Sequence, residues 1–135
     1  MSILKKKSDE NQNSAQILLS NNLFSSSIHC SYYSCVQLMK HILFEEGLTE
    51  MELKNRQDAS GRNLHEFLIN HFIDGLRQDN LYKQYRNTIV KLPDLKHLRV
   101  NADYKEQEIR ESDAQFAINL SKRISSDLKF LNNIR

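Results

Sequence analysis

Only three glycines and one proline punctuate the 135 residues of this chain, against about 12% for the two together in average usage. Tight hairpin turns draw on those residues because they need a positive φ or a φ already fixed near the turn value. A sandwich or barrel of many short strands is therefore excluded, and a few long helices with few connections fit best. A chain this long makes one domain and buries roughly two-thirds of the surface that it exposes when unfolded. Lys plus Arg number 19 and Asp plus Glu 17, a formal charge of +2, so there is no bulk attraction to nucleic acid or to a membrane surface.

No stretch reaches the ~20 consecutive apolar residues of a membrane span. The opening Met1-Ser-Ile-Leu-Lys-Lys-Lys7 carries its charges after the apolar pair, with no long apolar region behind them, which does not match a secretory signal. Cys30 and Cys35 lie five apart inside a helical pattern. That spacing suits neither a metal knuckle nor a redox pair, so both are read as small apolar residues in a reducing cytosol.

Residues 1–8 are polar and are expected to fray or be disordered, leaving one helical domain over 9–132. A modest helix is expected from Ser8 to about Asn22, with Ala15, Leu18 and Leu19 inward. Ser25-Ser26-Ser27 offers hydroxyl caps for the hydrophobic centre of the chain at about 26–46. There Phe24, Ile28, Cys35, Met39 and Ile42 form one stripe, and Tyr32, Val36 and Leu43 a neighbouring one. A helix apolar on more than one side must be covered on more than one side, so it is the middle of a bundle or half of a dimer contact. Gly47 sits at a C-terminal cap position, and residues 48–62 read as a long polar loop. Asn63 with Glu66 opens a third helix, and Asp79 or Asn80 caps a fourth. The stripe of that fourth helix, from Tyr82 through Tyr85, Ile89, Leu92, Leu95 and Leu98 to Ala102, runs past Pro93 and so implies a kink or a break. Ser112 with Gln115 reads as a capping box opening a last helix, with Ala117, Leu120, Ile124, Leu128 and Leu131 inward and Lys122, Arg123, Ser126 and Lys129 outward. The expected fold is an all-α, up-and-down bundle of about five helices.

Charge is uneven along this pattern. Residues 83–99 carry Lys83, Arg86, Lys91, Lys96 and Arg99 against Asp94, with His97 among them, while residues 41–58 carry five acids against Lys54 and Arg56. A basic helix face suits phosphates, and the opposite signs equally suit pairing within or between chains. His65 and His71 point different ways on a helix, and no histidine stands in a zinc spacing, so no metal and no cofactor is assigned. His71, on the apolar stripe, reads as a core histidine. His29 and Tyr33 share a face at i, i+4, which makes His29 a candidate proton carrier. Arg99 and Asp103 are also four apart. If they pack against the helix of Tyr32 and Tyr33, they organise a polar niche, closed by Tyr104, that serves as the candidate binding site.

The run Ser26-Ser27-Ile28-His29-Cys30-Ser31-Tyr32-Tyr33-Ser34 resembles the helix signature of HEPN domains, in which a Tyr-Tyr pair follows small residues. Glu45-Glu46-Gly47-Leu48, Leu64-His65-Glu66-Phe67 and Leu98-Arg99-x-x-Ala102-Asp103-Tyr104 follow in the order of one bacterial branch of that family, so the likeness spans about 12–132. The resemblance implies a helical bundle, commonly a homodimer, in the cytoplasm. It also implies a role beside a nucleotidyltransferase antitoxin in a toxin–antitoxin or RNA-related defence system. Catalytic members are metal-independent ribonucleases that place a His after an Arg and four to six intervening residues. None of Arg56, Arg62, Arg77, Arg86, Arg99 and Arg110 meets a His at that distance, and Cys30 stands where the family usually has an Arg before the tyrosines. The expected function is therefore binding of a partner, a nucleotide or RNA at Tyr32, Tyr33, Arg99, Asp103 and Tyr104. The alternative is an endoribonuclease toxin using Arg99 or Arg86 for the phosphate and His29 or His97 for the proton.

Overall fold

A computed structural model describes residues 3–76 and 83–133. Among these, seven helices follow in order: α1 (Ile3–Ser20), α2 (Phe24–Glu45), α3 (Glu50–Ser60), α4 (Leu64–Leu76), α5 (Lys83–Ile89), α6 (Leu92–Tyr104) and α7 (Glu111–Leu131), with no strand. The expected caps at Asp79 or Asn80, together with Arg77 and Tyr82, lie outside the described residues.

α2 is the axis of the molecule, with α1, α6, α7 and α4 packed around it. Ile28, Tyr32, Cys35, Leu38, Met39 and Ile42 are all but fully buried, and Val36 and Leu43 close the second stripe. Of the two readings of this helix, the middle of a bundle is the observed one. Its apolar faces are covered by the chain itself and are not available as the main dimer contact. Small residues let the neighbours come close. Ser8 Oγ donates to the Ser34 carbonyl at 2.6 Å and Ser27 Oγ to the Ala15 carbonyl at 2.7 Å, tying α1 to α2. Ser121 Oγ donates to the Ser31 carbonyl at 2.7 Å and lies 3.0 Å from Ser34 Oγ, tying α7 to α2.

The helix boundaries correct several expectations. Residues 3–8 belong to α1 and Ser8 is buried, because its hydroxyl has a carbonyl partner on α2 that outweighs the polar local sequence. The serine run does not cap α2; its N-cap is Leu23, and Ser27 lies inside the helix. Residues 48–62 are not a loop. Thr49 Oγ1 accepts from the Glu52 N–H at 3.1 Å and opens α3, which ends at Gly61 with φ 71°. That helix escaped the hydrophobic pattern because Leu53 is its only buried residue. α4 does open on the expected pair, the Glu66 N–H donating to Asn63 Oδ1 at 2.9 Å. The apolar stripe through Pro93 is two helices, broken at Val90 and Lys91, with Pro93 in the first turn of α6, where a missing N–H costs nothing. α7 starts before Ser112: its N-cap is Arg110, whose N–H donates to Asp113 Oδ2 at 2.9 Å, and Gln115 instead donates to Asn119. The extra helix and the split explain seven elements where about five were expected.

Candidate functional site

The site forms where the N-terminal half of α2 meets the C-terminal half of α6, with the first turn of α4 closing one side. Tyr32 and Tyr33 are consecutive on α2, so they point about 100° apart, one into the core and one along the α6 contact. Arg99 and Asp103 share a face of α6 at i, i+4. Arg99 is only 7% exposed. Its guanidinium carbon lies 5.1 Å from the ring centre of Tyr32, 5.6 Å from that of Tyr33 and 5.6 Å from that of Tyr104, within cation–π range of all three. One of its terminal nitrogens is 3.7 Å from Asp103 Oδ2, and among the described residues its Nε has no hydrogen-bond partner. Tyr104 stands 73% exposed at the mouth.

Asp103 also receives His29, whose Nδ1 is 2.7 Å from the same Oδ2. His29 therefore bonds to Asp103 and not to Tyr33, although the two rings lie 4.5 Å apart. The imidazole is 47% exposed, so a solvent-facing histidine is backed by a half-hidden carboxylate and, behind that, by a buried cation. All five expected binding residues and His29 are thus brought into one cluster.

His65 is a member that the sequence did not place in the niche. Its Nδ1 is 2.6 Å from the Tyr32 hydroxyl, and its ring stacks on Tyr32 and meets Tyr33 edge-on. Burial, then the positive charges of Arg99 and Lys96, push the His65 pKa down. Burial pushes the Tyr32 phenol up, against the opposing pull of Arg99. Near neutral pH the contact is consequently one hydrogen bond between a neutral phenol and a neutral imidazole. No local periodicity signals a pairing across 33 positions. The Cys30 thiol, raised by burial and by the Asp103 carboxylate, holds its proton near neutral pH and is a poor nucleophile.

Elsewhere the histidines part from expectation. His71 is exposed rather than in the core, its ring 5.2 Å from that of Phe72 and 6.2 Å from that of Phe67, because α4 lies at the rim of the bundle and presents that side to solvent. The buried histidine is His41, whose Nδ1 has no hydrogen-bond partner among the described residues. Among the described residues, no group of three His, Cys, Asp or Glu side chains could hold a metal ion, and no helix is long and apolar enough to cross a membrane. Cys35 is fully buried against Ser121 and Ser125, and Cys30 is half-buried.

An all-α bundle with a Tyr-Tyr pair on its central helix is the fold that the sequence signature implies. The family model for the HEPN domain matches residues 1–131, and the chain belongs to the HEPN domain family. A comparison with curated proteins and another with solved structures each found no match.

Proposed function

We propose that the Arg99 niche binds a phosphate-bearing ligand, RNA or a nucleotide, in a toxin–antitoxin or related defence setting. One observation carries this reading. Among the described residues, Arg99 is a buried cation with one carboxylate, at 3.7 Å, shared with a closer histidine, and with no hydrogen-bond partner at its Nε. A buried donor without a partner costs about 1–3 kcal/mol, and a guanidinium is well suited to complete itself with phosphate oxygens. Tyr104 and Tyr33 border the cation and offer faces on which a base can stack. In this reading the protein works in the cytoplasm as a homodimer beside a nucleotidyltransferase antitoxin, through surfaces other than the covered faces of α2.

Fluorescence anisotropy of a labelled single-stranded RNA tests the binding. Arg99→Met keeps most of the apolar stem and removes the charge, so affinity should fall at least tenfold, with circular dichroism unchanged. Equal affinity in the two proteins overturns the reading.

The His29–Asp103 contact favours a second reading, metal-independent RNA cleavage. An exposed imidazole oriented by a carboxylate is equipped to move the proton of a 2′-hydroxyl, with Arg99 stabilising charge on phosphorus. Incubation of total RNA with the protein in EDTA, repeated with His29→Ala, separates the two. Cleavage lost in the variant supports the enzyme, and intact RNA with retained binding leaves the binder.

A further inference from the structure

A second concavity of about 410 Å³ lies between α4 and α6, within the range of small-ligand clefts, about 300–1,000 Å³. Ile69, Pro93 and Val100 give it apolar walls, and Glu66, Asn70, Lys96 and His97 line it with polar groups. It belongs to neither the tyrosine cage nor the core. Lys96 and Glu66, both on its lining, form an ion pair at 3.9 Å, too long for a hydrogen bond, so each keeps hydrogen-bonding capacity for a ligand. Asn70 Nδ2 is spent on the Glu66 carbonyl at 2.8 Å, which leaves its Oδ1 as an acceptor.

The position of the groove gives it meaning. Lys96 and Arg99 are one helical turn apart on α6, with about 5–6 Å between Cβ atoms at that spacing. Both act on the ring of His65, and Glu66 follows His65 in the chain. The cationic edge of the groove is therefore the border of the Arg99 niche. We infer that the α4–α6 groove is a nucleoside subsite. A strand whose phosphate is held between Arg99 and Lys96 lays the adjoining base between Ile69, Pro93 and Val100, with Glu66 and Asn70 accepting from its N–H groups. This rests on the phosphate-binding reading of the niche. It adds that the site recognises a base as well as a backbone, and it fixes the direction in which the strand leaves, over α4 and away from His29. The apolar walls suit the flat face of a base, since apolar contact is what an unstacked base recovers when it leaves its own strand.

The test compares a labelled RNA 10-mer with an abasic sugar–phosphate strand of the same length, using the full chain. Val100→Trp fills the groove and Asn70→Leu, at its rim, removes an acceptor without adding bulk to the core; neither residue is in the niche. The expected result is an affinity for the base-bearing strand about tenfold lower in both variants, with affinity for the abasic strand unchanged. If Val100→Trp fails to fold by circular dichroism, Asn70→Leu carries the comparison. Unchanged binding of both strands by a folded groove variant, while Arg99→Met loses both, overturns the subsite and leaves the niche reading standing. An equal loss of both strands in a groove variant also overturns it, because the groove then does not sense the base. A wild-type protein that binds neither strand overturns the niche reading, and the subsite with it.

Discussion

The hydroxyl of Tyr32 and Nδ1 of His65 lie 2.6 Å apart although the residues are 33 positions apart in sequence, and this contact ties α4 to the fully buried centre of α2. Tyr32→Phe keeps the ring and deletes the oxygen, leaving the His65 nitrogen half-buried without its partner. The expected cost is about 1–3 kcal/mol, read as a lower urea midpoint at unchanged slope. An unaltered midpoint would show that water replaces the phenol at no cost.

The pKa values of His41 and His65 are both held below the ordinary 6.5, in each case first by burial. The unfolded chain takes up protons at both positions as the pH drops through about 6.5, whereas the folded protein does so only at lower pH. Stability is therefore full above about 6.5 and declines as the pH is lowered toward the folded values. Urea midpoints between pH 7.5 and pH 5 should show that decline, with a shallower slope in His41→Gln and in His65→Gln. Slopes identical to the wild type would remove these two histidines as its cause.

At the α2–α7 contact Ser121 is buried, 2.7 Å from the Ser31 carbonyl and 3.0 Å from Ser34 Oγ. Ser121→Leu has to push the helices apart and should cost about 1–3 kcal/mol. Ser121→Ala removes the hydroxyl and its hydrogen bonds without adding bulk, at about 1 kcal/mol. Thermal melts that rank leucine as no worse than alanine would mean that the two helices are not in close contact there.

Helix α3 depends on its ends. Thr49→Ala removes the hydroxyl that accepts from Glu52, at about 1 kcal/mol. Gly61 has φ 71°, and a Cβ built there meets nothing within 4 Å. Gly61→Ala therefore carries the backbone penalty alone, about 1–2 kcal/mol. Amide exchange should quicken across residues 50–60 in both variants and stay slow in α2. Faster exchange in α2 as well would mean that α3 unfolds only with the whole bundle.

Where the polar sequence offered no apolar period, expectation failed. A serine–carbonyl bond to α2 helps to hold residues 3–8, and a threonine cap and a buried leucine help to hold α3. Both depend on partners or hydroxyls that hydrophobic periodicity does not weigh. The i, i+4 spacing of Arg99 and Asp103 was legible, since a helix repeats nearly every four residues, and so was the adjacency of the two tyrosines. The membership of His65 was not, because its partner comes from another helix.

The sequence by itself determined that this chain is helical and that the helix at about 26–46 lies at its centre. The scarcity of glycine and proline and the period of the apolar residues are local properties that act before any folding. Only the tertiary structure decided that the centre is wrapped by its own chain, that Asp103 answers to His29 as well as to Arg99, and that a groove opens between α4 and α6. Those depend on how helices distant in sequence pack against one another, and packing is settled by the shapes and volumes of side chains that meet only once the bundle has closed.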